Sequence, residues 1–263
     1  MPADASLATA LEHLRSRGLL RRGSDPEPMP ERARPSVSTG YPALDTALAG
    51  GQGSTGGWPR GALALIDAPR GSGGTSLALR TLAAAQAAGG LVAWLDLDGT
   101  LDAAVAARLG VRLEWLLVAR PRDAAEAIDL GAWLGRSGLI DALVLDFGER
   151  AMPDRRALDR LGLLLARTGD TSALVLAPSA RSVVGAVAGV RVALHRSCWL
   201  SVGRDLVGQR VRAVVERHRW ALAGGSAELD LWFGEGRRID PLLVAQAEPR
   251  AIEEHRVLRV VSA

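Results

Sequence analysis

The sequence predicts an α/β protein built on a mostly parallel sheet with helices on both faces and an antiparallel extension at one edge. Three observations carry that prediction. Short apolar runs recur between Ala62 and Ala177, each separated from the next by an Ala/Leu-rich stretch of helical period; continuous rather than alternating apolar strands belong to sheets covered on both sides. Beyond about residue 197 the helical stretches stop and strand-like segments follow one another directly, which suits antiparallel pairing at a sheet edge. The 263 residues, 48% of them apolar, are enough to build such a core.

Taken in order, Leu7, Leu11 and Leu14 recur at helical spacing behind Ser6 and predict a short amphipathic helix over 6–17. Pro26, Pro28, Pro30 and Pro35 then stand among charges, a composition that cannot bury a core, so residues 1–36 read as a helix followed by a proline-rich arm. The core domain is expected over 37–240. Its strands are placed at 62–67, 91–97, 115–119, 141–146 and 172–177, its helices at 76–88, 102–109, 123–137 and 155–168, and its antiparallel strands at 198–203, 210–216 and 227–233. Residues 241–263 are left as a tail. In it Val257, Leu258, Val260 and Val261 alternate with charge, a pattern suited to a partner's sheet edge or groove.

Composition narrows the function classes. No apolar run approaches the roughly 20 residues of a membrane span, and the N-terminus carries no basic segment followed by an apolar one, so a cytoplasmic protein with no membrane partner is expected. All 32 basic residues are arginine. Arginine stays charged at every accessible pH, so the basic isoelectric point that follows is not by itself a nucleic-acid signature. The single cysteine, Cys198, can form neither an internal disulfide nor a thiolate cluster; it reads as a small core residue, and no metal is expected.

The strand at 62–67 runs into Ala68-Pro69-Arg70-Gly71-Ser72-Gly73-Gly74-Thr75-Ser76 and then into a helix. A phosphate-binding loop belongs at such a place. It needs glycines so that backbone N–H groups converge on phosphates, a lysine to reach the terminal oxygens, and Ser or Thr to hold magnesium. Here Ala68 stands at the opening glycine and Gly74 at the lysine, while Gly73 and Thr75 remain. Read alone, the stretch is also a plain glycine-rich strand-to-helix turn.

The segment Val37-Ser38-Thr39-Gly40-Tyr41-Pro42-Ala43-Leu44-Asp45, the phrase Gly57-Trp58-Pro59-Arg60-Gly61 before the first core strand, and the ungapped run from Gly61 to about Arg150 together resemble the RecA recombinase family. The resemblance implies a RecA-like core and assigns roles by position. Asp146 falls on the aspartate that partners magnesium. Asp98 falls on the glutamate that activates the attacking water, one methylene shorter. Asp102 falls on a carboxylate near the adenine, Val105 on the residue that stacks on it, and Ser179 on the polar sensor after the fifth strand. The DNA-holding loops, around 149–154 and 181–190, look short, and no counterpart of the family's separate C-terminal domain is expected. Arg217 and Arg219 fall on the two basic residues that reach a neighbouring protomer's nucleotide; they read equally as outward charges on an edge strand.

Altered together, positions 74, 98, 105 and 179 remove different parts of phosphoryl-transfer chemistry. Within the RecA-like proteins the chain is most similar to the ImuA family, SulA-related accessory proteins of damage-inducible mutagenesis cassettes. That resemblance implies a non-catalytic accessory role in error-prone translesion synthesis, with RecA and error-prone polymerase subunits as partners, self-association as a further contact, and no required cofactor. Weak binding of ATP and magnesium at the loop stays open. So do two other readings, an ATP-dependent recombinase-like ATPase that binds DNA and a regulator of RecA filaments without a polymerase partner. A surface for single-stranded DNA or for an interface is placed between Arg204 and Arg219, with Arg210, Arg212, Arg217 and Arg219 against Asp205 and Glu216, flanked by Trp199 and Trp220. The leucine face of the N-terminal helix is expected to engage RecA or a second copy.

Overall fold

The structure is a computed structural model and describes residues 36–50, 56–149, 153–178, 181–233 and 247–250. The helix expected over 6–17 and the tail residues Val257 to Val261 lie outside them. The described chain opens with β1 (Ser36–Val37), helix α1 (Pro42–Ala49) and β2 (Trp58–Pro59), the two short strands pairing antiparallel. Alternating strands and helices follow: β3 (Ala62–Asp67), α2 (Gly74–Ala87), β4 (Leu91–Asp96), α3 (Ala103–Arg108), β5 (Leu116–Ala119), α4 (Ala124–Ser137), β6 (Ile140–Asp146), α5 (Arg155–Thr168), β7 (Ser172–Leu176) and α6 (Arg181–Val187). The chain then enters β8 (Val190–Val202), β9 (Asp205–His218), β10 (Ser226–Trp232) and β11 (Glu248–Arg250).

The main sheet runs β10-β9-β8-β3-β7-β6-β4-β5, parallel from β8 through β5 and antiparallel from β8 to β10. This is the predicted class. Every residue of β3 and β7 is buried, because helices cover both faces. Leu63 and Leu65 of β3 point to the side packed by Ile128 and Leu134 of α4 and by Leu158, Leu161 and Leu165 of α5. Ala64 and Ile66 point to the opposite side, against Leu44 and Leu48 of α1 and Leu77 and Leu82 of α2. The helices start where side chains satisfy their first amides: Asp102, Asp123 and Asp154 cap α3, α4 and α5.

Several expectations are corrected. Helix α1 begins inside the segment read only as a motif and runs on to Ala49, and α6 fills the short span after β7. Strand β8 begins at Val190 rather than near 198, since its first four residues pair in parallel with Ala64–Asp67 of β3. Strand β9 is not an edge strand: β8 flanks its whole length and β10 pairs with its middle, Gly208–Val214. Cys198 is only half-buried, on β8. Glu248–Arg250, in the segment read as tail, joins the sheet by pairing antiparallel with Trp199–Ser201. Because β9 occupies one edge of β8 throughout, β11 takes the edge that β3 uses further down. Among the described residues no helix is long and apolar enough to cross a membrane.

Candidate functional site

The carboxyl ends of β3, β4, β6 and β7 converge on a cavity of about 750 Å³, and its wall includes Ala68, Arg70, Gly71, Gly73, Gly74, Thr75 and Ser76. A crevice beyond the carboxyl ends of parallel strands is where open α/β sheets hold ligands. The loop turns sharply at Gly71 and Gly73, both at positive φ (74° and 95°), and Gly73 precedes the first turn of α2. Inside the loop the Ser72 amide donates to the Pro69 carbonyl at 3.0 Å, and the Ser72 hydroxyl donates to the same oxygen at 2.6 Å. The amides at the start of α2 still open toward the cavity, as in any helix N-terminus.

Position 74 has no room for a side chain. A methyl placed on Gly74 would lie 2.8 Å from the Cβ of Ala68, with Leu176 and Ile66 close behind. The two departures from the phosphate-loop pattern are therefore one packing event, in which the alanine at the loop's opening occupies the space that a side chain at 74 would need.

The carboxylates sit opposite. Asp96 and Asp146 are register partners on β4 and β6 and are both buried. Asp96 accepts the Thr100 and Leu101 amides and so shapes the loop after β4. Asp146 accepts the Gly148 amide at 3.1 Å. Burial pushes its carboxyl up to about 6, with Asp96 and Asp98 adding repulsion and the Gly148 hydrogen bond opposing the rise. Asp98, the position expected to activate water, instead accepts the Glu149 amide at 3.1 Å and lies flat on Gly148, where a methyl would stand 2.0 Å from Oδ2. Arg70 is exposed and pairs with Glu149 at 2.7 Å. Asp102 is the α3 cap, and Val105 packs partly buried on the core. Ser179 lies outside the described residues.

The remaining wall was not foreseen. Arg196, Trp199, Leu206, Gln209 and Phe233 close the cavity from the antiparallel extension. They belong to strands joined to the loop by sheet register rather than by sequence proximity, so no local pattern marks them.

The arginine-rich stretch is largely tied up. Arg210 makes a two-pronged contact with Asp230, 2.7 and 2.9 Å. Arg217 donates to the carbonyls of Gly185 and Ala186 at the end of α6, and Arg219 stands over the Trp220 ring at 5.9 Å. Arg212 is exposed, with His195 and Glu228 as its register partners. Arg191, unremarked in the sequence, bridges Asp67 at the root of the loop and Glu216.

Comparison with known proteins agrees with this architecture. The RecA N-terminal domain matches residues 27–158. Protein RecA of Desulforapulum autotrophicum is 31% identical over 240 residues, covering 78% of this chain and 67% of its own length. Protein RecA of Thermus thermophilus is 32% identical over 250 residues, 81% of this chain and 71% of the relative. Protein RecA of Frankia casuarinae is 32% identical over 266 residues, 89% and 74%. With a parallel core that carries a glycine loop after β3 and an aspartate at the end of β6, the chain belongs to the RecA family.

Proposed function

We propose that this chain is a RecA-like protein that has given up nucleotide turnover and acts as an accessory factor in the DNA damage response, supporting error-prone translesion synthesis through contacts with RecA and polymerase subunits. The observation that carries it is the packing at position 74. Glycine at 74 supplies no cation for a terminal phosphate, and the Ala68 methyl stands 2.8 Å from where a Cβ at 74 would lie. Asp98 supports the reading because its carboxylate is one methylene shorter than glutamate and its Oδ2 accepts the Glu149 amide. Losing a single preorganised electrostatic donor raises a barrier by about 3–4 kcal/mol, so losing a cation and a base together leaves little rate.

ATP hydrolysis with single-stranded DNA present tests the catalytic half: no turnover above background is expected. Turnover that Asp146→Ala abolishes would overturn it in favour of an ATP-dependent recombinase-like enzyme. That second reading draws on the relatives' common name, Protein RecA, and on the retained Asp146. Binding of magnesium-ATP, measured by calorimetry, is expected to be weak at most. Capture of purified RecA and of polymerase subunits in separate pull-downs tests the partner half, and RecA capture without polymerase capture would favour a filament regulator.

A further inference from the structure

We infer that the antiparallel extension has taken over the phosphate loop: one residue from each of β8, β9 and β10 lies against it, and together they fix its course by contacts of the chain's own. Arg196 on β8 donates through Nη2 to the Gly71 carbonyl at 2.7 Å and through Nε to Gln209 Oε1 at 2.8 Å. Its guanidinium is braced from behind by Trp199, 4.2 Å from the ring centroid. Gln209 on β9 is buried, and its other amide atom, Nε2, would be 3.4 Å from a methyl on Gly73. Leu231 on β10 is the register partner of Gln209, and its Cδ1 would be 2.0 Å from the same methyl.

These contacts fall on the two left-handed glycines that set the loop's course. A loop that binds phosphates is ordered when anions engage its amides. Here Arg196 instead grips a carbonyl, and Leu231 fills the space against the backbone at Gly73. The loop is thereby fixed against β8–β10 rather than poised to close on a ligand. Loop capture is a property of the chain by itself, so it stands or falls separately from the identity of any partner and from the absence of hydrolysis.

Hydrogen exchange read by mass spectrometry on peptides spanning 67–77 tests it, with no nucleotide added. In the wild-type chain these amides are expected to exchange at least 100-fold more slowly than in an unstructured peptide. Leu231→Ala and Arg196→Gln should each speed their exchange tenfold or more while peptides from β4 and β6 are unchanged. Arg210→Gln, on the same hairpin but paired with Asp230, should leave the loop as it is. Arg196 is only half-buried, so Arg196→Gln leaves no core cavity and decides the matter should Leu231→Ala unfold. An unprotected loop in the wild type, or loop exchange that Arg196→Gln does not alter, overturns the inference.

Discussion

A methyl added at position 74 meets two opposed effects, and their balance is measurable. Replacing glycine by alanine in a helix is worth up to about 1 kcal/mol in propensity. At the first residue of α2 that gain is opposed by the 2.8 Å approach to the Ala68 Cβ, a degree of overpacking that costs about 1–3 kcal/mol. Gly74→Ala is therefore expected to lower the melting temperature. In an Ala68→Gly background the same change should raise it. Thermal melts of the four proteins close a double-mutant cycle, and additive effects would show that the two positions are not interlocked. Gly74→Lys alone, by the same packing, is expected to destabilise the fold without creating ATP turnover.

Strand β9 ties two elements together through Arg217. Its guanidinium donates to the last carbonyls of α6, where a cation also meets the negative end of the helix dipole. Arg217→Ala should cost about 1 kcal/mol locally. Faster exchange at 181–187, with the rest of the sheet unchanged, is the expected readout. If the surface also serves a partner or DNA, Arg217→Ala/Arg219→Ala will weaken retention in a salt-dependent way; unchanged retention of both assigns Arg217 to α6 alone.

How far these elements could be read from sequence depends on what orders them. Strands β3, β6 and β7 were legible because burial on both faces leaves a continuous apolar run; the caps Asp102, Asp123 and Asp154 emerge only from the structure. The start of β8 was not, since Val190 to Ala193 are ordered by pairing with a strand well over a hundred residues earlier. The loop from Ala68 to Ser76 was legible because it is contiguous. Arg196, Gln209 and Leu231 reach it only through the register of three antiparallel strands, for which no local spacing exists. Arg210 looked like a free charge because Asp230, its partner, lies across a hairpin.

For the whole molecule, one buried and one half-buried group set opposite pH responses. Asp146, pushed up to about 6, keeps a proton that the unfolded chain has released above its ordinary 3.8, so stability falls as pH rises between those values. His218 is pushed by burial from 6.5 down to about 4; the unfolded chain takes up the proton first, so stability rises with pH across that interval. The two slopes oppose each other, and the wild-type protein should show a shallow profile between pH 4 and 6. Asp146→Asn removes one slope. It should stabilise the protein at pH 7.5, by about 3 kcal/mol at most, and uncover a rise in melting temperature with pH. Identical profiles for the two proteins would refute this assignment.

The pairing of β3 has a consequence for how the chain is made. Its register partners on β7 lie 110 positions downstream (172 − 62 for the first pair), and those on β8 lie further still. During synthesis the segment from Ala62 to Asp67 leaves the ribosome long before either neighbour exists, and its apolar run has no partner strand for that interval. Contacts of such sequence separation close slowly, and unpaired strands are where nascent chains aggregate. Chains arrested before residue 172 should therefore be captured by chaperones and cut readily by protease near β3, and resistance should appear abruptly once the chain past residue 193 has cleared the exit tunnel.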